Sequence, residues 1–272
     1  MLLNPTLDKL LALKLTGMSD ALKEQGQLSE YQALSFEERL GLLVDREVLV
    51  RQNRLLASRM KKAGLRQEAC VEDIDFRHPR HLDRSVVLSL ASCQWIQNRR
   101  NCLITGPTGA GKTFLACALA QKACREGFTA RYGRLSRLLG ELAVARLDGS
   151  YLERLRTLSQ IDLLVLDDWG VTPLSDEGRR DLLEILDDRY DRKSTLVTSQ
   201  LPVDRWHESL ADPTLADAIL DRLVHNAHRL ELSGESMRRV KGGGDYRSPI
   251  QAEALARNVT VPGGDNSHVP EA

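Results

Sequence analysis

The sequence is poor in aromatic residues and carries no excess of either charge. Aromatic residues make up 4% of the 272 positions, and lysine plus arginine equal aspartate plus glutamate at 38 each. Few aromatics leave little scope for stacking on nucleic-acid bases, and a zero net charge gives no overall attraction to a polyanion. Any contact with nucleic acid must therefore come from a local basic patch that follows the phosphate backbone.

Long apolar runs and closely paired cysteines are also missing. The sequence has no run of about 18 or more apolar residues, and acids and lysines interrupt the leucines near its start. The five cysteines form no CxxC pair and several lie inside apolar runs, which predicts reduced thiols that pack as small hydrophobes. These absences predict a cytoplasmic protein that has no membrane partner.

Residues 1–66 are predicted to form a small all-helical domain. Apolar residues recur at helical spacing from Leu7 to Leu22, and the later SFEE has the form of a capping box between Ser35 and Glu38. Residues 67–85 contain a proline and mixed charge, as a connector does. Residues 242–272 are rich in glycine and poor in large apolar residues, which predicts a disordered tail.

Residues 48–67, which we name the basic stretch, contain six basic side chains and no acid. Two interpretations stay open. A charge run usually means a solvated helix face, but a positive stripe also suits contact with DNA phosphates, which would make binding depend on salt. The candidate DNA-binding residues are Arg51, Arg54, Arg59, Lys61, Lys62 and Arg66.

Residues 106–113, GPTGAGKT, fit the phosphate-loop pattern G-x-x-x-x-G-K-[ST] between an apolar strand and an apolar helix. Glycines let such a loop aim its amides at phosphates, and the helix start adds partial positive charge. We expect Lys112 to bridge the β- and γ-phosphates of ATP, and Thr113 to hold Mg²⁺ through its hydroxyl. The candidate nucleotide-binding residues of the loop are Gly106, Pro107, Thr108, Gly109, Ala110, Gly111, Lys112 and Thr113.

The segment LLVLDDWG at residues 163–170 places two adjacent carboxylates directly after four aliphatic residues. The aliphatic residues predict a buried central strand, and a carboxylate buried without a partner is costly. A nucleotide-bound metal would supply that partner. We therefore expect Asp167 in the Mg²⁺ shell and Asp168 as the base or orienting group for the attacking water. An aspartate-rich surface turn is the alternative interpretation.

Strand and helix patterns alternate across residues 86–241, the predicted main domain. Further strands are predicted at FTARY (128–132), STLVTSQLP (194–202) and AHRLEL (227–232). Such alternation predicts an α/β fold with a five-stranded, mainly parallel sheet covered by helices, and ligands bind at the carboxyl ends of its strands. Both phosphate motifs follow strands at such ends.

Five segments together resemble the IstB-type transposition helper ATPases of insertion sequences, which are related to the DnaC-type helicase loaders. They are GPTGAGKT, LLVLDDWG, TSQLPVDRW, ADAILDRLVHNAHRLEL and GESMRR. The similarity runs from the helical N-terminus to about residue 240. Many NTPases share the nucleotide-binding motifs, and the segment from Thr198 to Arg239 is what narrows the choice to this family. The resemblance implies a P-loop AAA+ ATPase that assembles on double-stranded DNA as a homo-oligomer, with ATP at the subunit interfaces.

The resemblance also implies roles for four further residues. Thr198 and Gln200 match the sensor strand, and either is a candidate for contact with the γ-phosphate or the water. Arg222 matches the arginine finger offered to the next subunit's ATP, unless it pairs with an aspartate of its own helix. Arg238 matches a second phosphate sensor.

The predicted function is that of an ATP-dependent helper that selects or remodels target DNA and recruits or stimulates a cognate transposase. The sequence has no recognisable triad of metal-binding acids for strand transfer itself. Two alternatives stay open: a DnaC-like loader of a replicative helicase, and a DNA adaptor that binds ATP without hydrolysing it. Asp168 stands where most AAA+ enzymes have glutamate, and two consequences of its shorter reach stay open: slower hydrolysis, or a repositioned water.

Overall fold

The computed structural model describes residues 5–234, 236 and 237. Its strands are β1 (Asn101–Thr105), β2 (Ala130–Arg134), β3 (Leu163–Trp169), β4 (Ser194–Ser199) and β5 (Ala227–Glu231). Its α-helices are α1 (Pro5–Ala12), α2 (Thr16–Gln27), α3 (Phe36–Ala63), α4 (Arg84–Ala91), α5 (Gln94–Gln97), α6 (Lys112–Arg125), α7 (Leu135–Asp148), α8 (Tyr151–Gln160), α9 (Asp176–Arg189), α10 (Trp206–Leu210) and α11 (Pro213–Val224). In this part of the chain, no helix is both long and apolar enough to cross a membrane.

The five strands form one parallel sheet in the order β2-β3-β4-β1-β5. The predicted α/β fold with a five-stranded parallel sheet is therefore confirmed. The carboxyl ends of all five strands meet at one edge, and β4 lies between β1 and β3. Thr198 on β4 pairs with Ile104 on β1, so the phosphate loop, β4 and the acids of β3 lie side by side.

Alternate residues of the central strands pack into two apolar clusters on opposite faces of the sheet. Cys102 and Ile104 of β1 belong to one cluster, whereas Leu103 belongs to the other. This period of two is what a strand buried on both faces requires. Helices α4 and α6 cover the first face, and α7, α9 and α11 cover the second. Four of the five free cysteines are buried, as predicted.

Three predicted elements differ from the structure. The strand expected at residues 194–202 is shorter, since β4 ends at Ser199. The strand expected at residues 128–132 is β2 at 130–134, because the amide of Phe128 still closes the end of α6 by donating to Ala123 O over 3.0 Å. The helical run expected near residues 86–96 is two helices, α4 and α5. The break lies at Cys93, whose φ of 59° no helix interior allows.

Helix α3 is 28 residues long and joins the N-terminal helices to the sheet. The predicted capping box is present at its start, with Ser35 N donating to Glu38 Oε2 over 2.8 Å and Glu38 N to Ser35 Oγ over 3.2 Å. At its other end, Leu56, Met60 and Ala63 pack into the core cluster around α6. The division of the chain near residue 66 stays a prediction, because the last turns of α3 share the core of the sheet.

Candidate nucleotide-binding site

The loop at residues 106–113 joins β1 to α6 with three glycines at positive φ. Gly106, Gly109 and Gly111 have φ values of 143°, 85° and 95°. A Cβ at Gly106 would collide with the carbonyl oxygen of Leu232, so no other residue fits there without a shift of the backbone. Lys112 follows as the first residue of α6, and its Nζ donates to the carbonyls of Gly106 (2.7 Å) and Pro107 (2.8 Å).

A buried arginine from the predicted connector, residues 67–85, forms a hydrogen bond with a backbone carbonyl of this loop. Arg80 is 2% exposed, and its guanidinium donates to Ala110 O over 3.0 Å and to Asp75 O over 2.9 Å. Burial lowers the pKa of Arg80 from its ordinary value. Through Arg80, the connector thereby holds the carbonyl of Ala110 within the loop.

Asp167 is fully buried and accepts hydrogen bonds from three hydroxyl groups. Thr113 Oγ1 lies 3.1 Å from each carboxylate oxygen, Tyr132 Oη donates to Oδ2 over 2.5 Å, and Thr198 donates to Oδ1. Burial raises the pKa of Tyr132, and the hydrogen bond to Asp167 raises it further, so the phenol remains a donor. The structure thus brings Thr113, Asp167 and Thr198 together.

Asp168 faces a different way from its neighbour. Its φ is 64°, and the pairing of β3 with β4 is irregular between Leu166 and Trp169. The bulge turns the carboxylate toward the cavity, where its side chain is 35% exposed and lies 3.4 Å from Arg134 Nε. The backbone amide of Asp168 donates to Thr198 Oγ1 over 3.3 Å.

A cavity of about 590 Å³ opens between the loop and the connector. Its volume lies in the range of small-molecule and cofactor sites, roughly 300–1,000 Å³. Of the two sensor candidates, Gln200 lines the cavity and accepts a hydrogen bond from Thr108 over 2.7 Å, whereas Thr198 is buried behind Asp167. The predicted residues that line it are Thr108, Gly109, Gly111, Lys112, Thr113, Asp168 and Gln200.

Arg66 also lines the cavity. In this it differs from the other candidate residues of the basic stretch. It follows the helix-ending Gly64, and its Nη1 lies 3.5 Å from Asp167 Oδ2 and 3.9 Å from Asp168 Oδ2. The five remaining candidates lie on α3. Among them, Arg51 pairs with Glu47 over 2.7 Å, Arg54 donates to Thr16, and Lys61 and Lys62 are exposed at the helix end.

Arg222 lies at the opposite edge of the sheet from the cavity. Asn101, the first residue of β1, donates to Arg222 O over 2.9 Å, whereas the loop follows the last residue of β1. Arg222 Nη2 lies 2.6 Å from Asp187 Oδ1 on α9, and not against an aspartate of its own helix. Arg238 lies outside the described residues, as does the tail predicted at residues 242–272.

Fold and site together define a class of protein. A parallel sheet in the order β2-β3-β4-β1-β5, with a phosphate loop after β1 and an acidic pair at the end of β3, is an AAA+ P-loop ATP-binding core. Comparison with known sequences then gives the family. A family model described as IstB-like ATP binding protein matches residues 8–242, and the chain belongs to this family.

Individual relatives agree with the family. The chain is 54% identical over 239 residues to the insertion sequence ATP-binding protein y4pL of Sinorhizobium fredii, covering 88% of this chain and 98% of that protein. It is 34% identical over 241 residues to the insertion sequence IS21 ATP-binding protein of Pseudomonas aeruginosa, covering 89% and 87%. Both alignments run over nearly the whole of each relative.

Solved structures share the fold at lower identity. DnaI superposes with a TM-score of 0.53 at 21% identity, over 61% of this chain and 91% of that chain. AMPPCP-bound DnaA from Aquifex aeolicus gives 0.53 at 17%, over 72% and 62%. The DnaC helicase loader gives 0.50 at 21%, over 60% and 96%. These similarities show that the chain shares the fold of these proteins.

Proposed function

We propose that this chain is an ATPase that helps transposition by binding double-stranded DNA as a homo-oligomer and recruiting or stimulating the transposase of its insertion sequence. The observation that carries the ATPase part is the contact between Thr113 Oγ1 and Asp167, 3.1 Å apart beside the phosphate loop. Hydroxyl and carboxylate oxygens are the ligands that Mg²⁺ prefers. The relatives' association with insertion sequences supports the transposition part.

Thr113 and Asp167 are the residues that would hold Mg²⁺, which neutralises phosphate charge when it is bound. Lys112 stands at the start of α6 to contact the β- and γ-phosphates. Asp168, in the cavity, is proposed to orient the attacking water and accept its proton. Gln200 is the better candidate for the γ-phosphate side, because the hydroxyl of Thr198 is engaged with Asp167 and with the amide of Asp168.

The DNA-binding part of the proposal rests on the five candidate residues of the basic stretch that lie on α3, namely Arg51, Arg54, Arg59, Lys61 and Lys62. They share a helix whose C-terminal turns pack against the ATP-binding core. With few aromatic residues in the chain, contact with phosphates is the mode that their chemistry supports. A helicase-loader function is the second candidate, because the fold resembles the DnaC helicase loader. The two differ in the protein partner.

The test of the ATP site is Lys112→Ala, with Lys122→Ala on the exposed part of the same helix as the control. Loss of a charged hydrogen-bond donor to phosphate is expected to weaken binding of a fluorescent ATP analogue by roughly 10- to 100-fold. Lys122→Ala should bind like the wild type, because its partner is Glu126 at the far end of α6. Unchanged affinity in Lys112→Ala would remove the site from consideration.

The partner is tested by a strand-transfer assay with purified transposase from the same insertion sequence. Wild-type protein with ATP is expected to stimulate transfer into duplex targets, and Lys112→Ala is not. If the wild-type protein has no effect on strand transfer but promotes loading of a replicative helicase onto DNA, the loader function replaces the helper function.

A further inference from the structure

Arg66 is a cation placed among the acids of the nucleotide site. Its guanidinium lies within ion-pair distance of Asp167 (3.5 Å) and Asp168 (3.9 Å). Asp167 is fully buried, and a buried carboxylate needs a compensating charge or donors. Arg66 therefore neutralises part of the charge that the acidic pair carries.

The backbone holds Arg66 in this position by several independent contacts. Gly64 ends α3 in the left-handed conformation, with φ 57° and ψ 41°, which redirects the chain toward the cavity. Leu65 packs against the core cluster. Burial raises the pKa of the Cys117 thiol on α6, and the backbone amides of Gln67 and Arg66 oppose this rise, which places the segment against α6. A side chain on so well anchored a segment is not a freely solvated member of a charge run.

We propose that Arg66 is a positioning residue of the nucleotide site, which holds Asp167 and Asp168 and competes with divalent metal for their charge. The proposal rests on the function proposed above, because the metal concerned is the one that accompanies ATP. A carboxylate paired with a guanidinium attracts a second cation less strongly. Arg66 also lies just beyond Gly64, the residue that ends α3, so it connects the basic helix with the acids of the site.

The experiment measures thermal unfolding of the full chain against Mg²⁺ concentration at a fixed concentration of AMPPCP. Arg66→Gln removes the charge, Arg66→Lys keeps it on a smaller head, and Lys62→Gln removes a charge from the exposed end of α3. Without Mg²⁺, Arg66→Gln should melt about 2–4 °C below the wild type, a shift typical of one lost interaction in a chain of this size. That difference should shrink as Mg²⁺ saturates, because the metal replaces the missing charge.

The midpoint of the Mg²⁺ titration is the decisive readout, since a purely structural role would not move it. In Arg66→Gln the midpoint should fall by up to about fivefold, the value of an ion pair with a partly exposed partner. Arg66→Lys should give an intermediate midpoint, because an ammonium lacks the planar fork with which a guanidinium reaches two carboxylates. If Arg66→Gln does not fold, the midpoint of Arg66→Lys still decides the test. Lys62→Gln should titrate like the wild type.

Two outcomes overturn the inference. One is a midpoint in Arg66→Gln that is unchanged or raised. The other is a salt slope of DNA binding that falls by about 0.9 in Arg66→Gln, which would return the residue to the DNA surface. A wild type that Mg²⁺ and AMPPCP do not stabilise would instead refute the proposed function.

Discussion

Asp168 holds a backbone conformation that its neighbour Asp167 does not need. A φ of 64° lies in the left-handed region, which costs a non-glycine residue about 1–2 kcal/mol. The bulge in β3 that produces it separates the two carboxylates, one buried under three hydroxyl groups and the other facing the cavity beside Arg134. Strain of this kind persists where the surrounding structure enforces it, often at a functional site.

Asp168→Asn should therefore keep ATP binding and lose hydrolysis. The amide is isosteric and tolerates positive φ, but it accepts no proton, so the rate of phosphate release should drop by about 10²- to 10⁴-fold. Asp191→Asn is the matched control, since Asp191 is an exposed aspartate with φ 52° outside the cavity. Release at the wild-type rate by Asp168→Asn would exclude Asp168 as the base.

The sequence predicts those site residues whose signals are local. The phosphate loop and Asp167 stand in short patterns that specify strand, loop and helix by themselves. Arg80 and Tyr132 carry no such signal, because each reaches the site only when distant segments pack together. For Arg66 the sequence offers one indication. Gly64, two positions earlier, is a residue that often ends a helix, so Arg66 need not continue the basic face of α3.

The packing of α2 against α3 depends on one buried carboxylate. Glu47 Oε2 accepts from the amides of Gly17 (2.7 Å) and Met18 (3.2 Å) at the start of α2, and Glu47 Oε1 pairs with Arg51 over 2.7 Å. A Cβ at Gly17 would lie 2.8 Å from Arg46 O, so the two helices approach closely at this point. The hydrogen bond from Arg51, and then those from Met18 and Gly17, hold the pKa of Glu47 below its ordinary value of 4.5.

Glu47→Gln should lower the melting temperature in a pH-dependent way. Because the folded-state pKa is lowered, ionised Glu47 stabilises the fold fully above pH 4.5, and this contribution is lost as the pH falls through the folded-state pKa. The deficit of Glu47→Gln should thus be full at neutral pH and shrink below pH 4.5, as the pH falls through the folded-state pKa. Asp45→Asn, on the exposed side of α3, should show little deficit. A deficit of constant size across this range would mean that the charge of Glu47 is irrelevant.

The order of the strands decides what the whole molecule can do with its site. Alternating strand and helix patterns predict a parallel sheet, but they do not fix which strands are neighbours, because that depends on how each crossover packs. The observed order places β4 between the loop and the acids, which is how Thr198 comes to contact both Asp167 and Asp168. Arg222 lies at the opposite edge, because α11 leads into the start of β5 and β5 runs parallel to β1. One five-residue strand of about 3.3 Å per residue separates it from its own phosphate loop.

Arg222 can therefore serve an ATP site only in another copy of the chain. Arg222→Ala retains its own phosphate loop, and Lys112→Ala retains its arginine, so each variant lacks what the other supplies. In a 1:1 mixture of two inactive variants, about a quarter of head-to-tail interfaces would join an intact loop to an intact arginine. ATPase activity of the mixture should accordingly recover to a fraction of the wild type, in the presence of DNA. The control mixture of Arg222→Ala with Arg222→Ala,Lys112→Ala should stay inactive, since no subunit then offers the arginine. Equal activity in the two mixtures would leave Arg222 as a structural partner of Asp187, whose carboxylate lies 2.6 Å away.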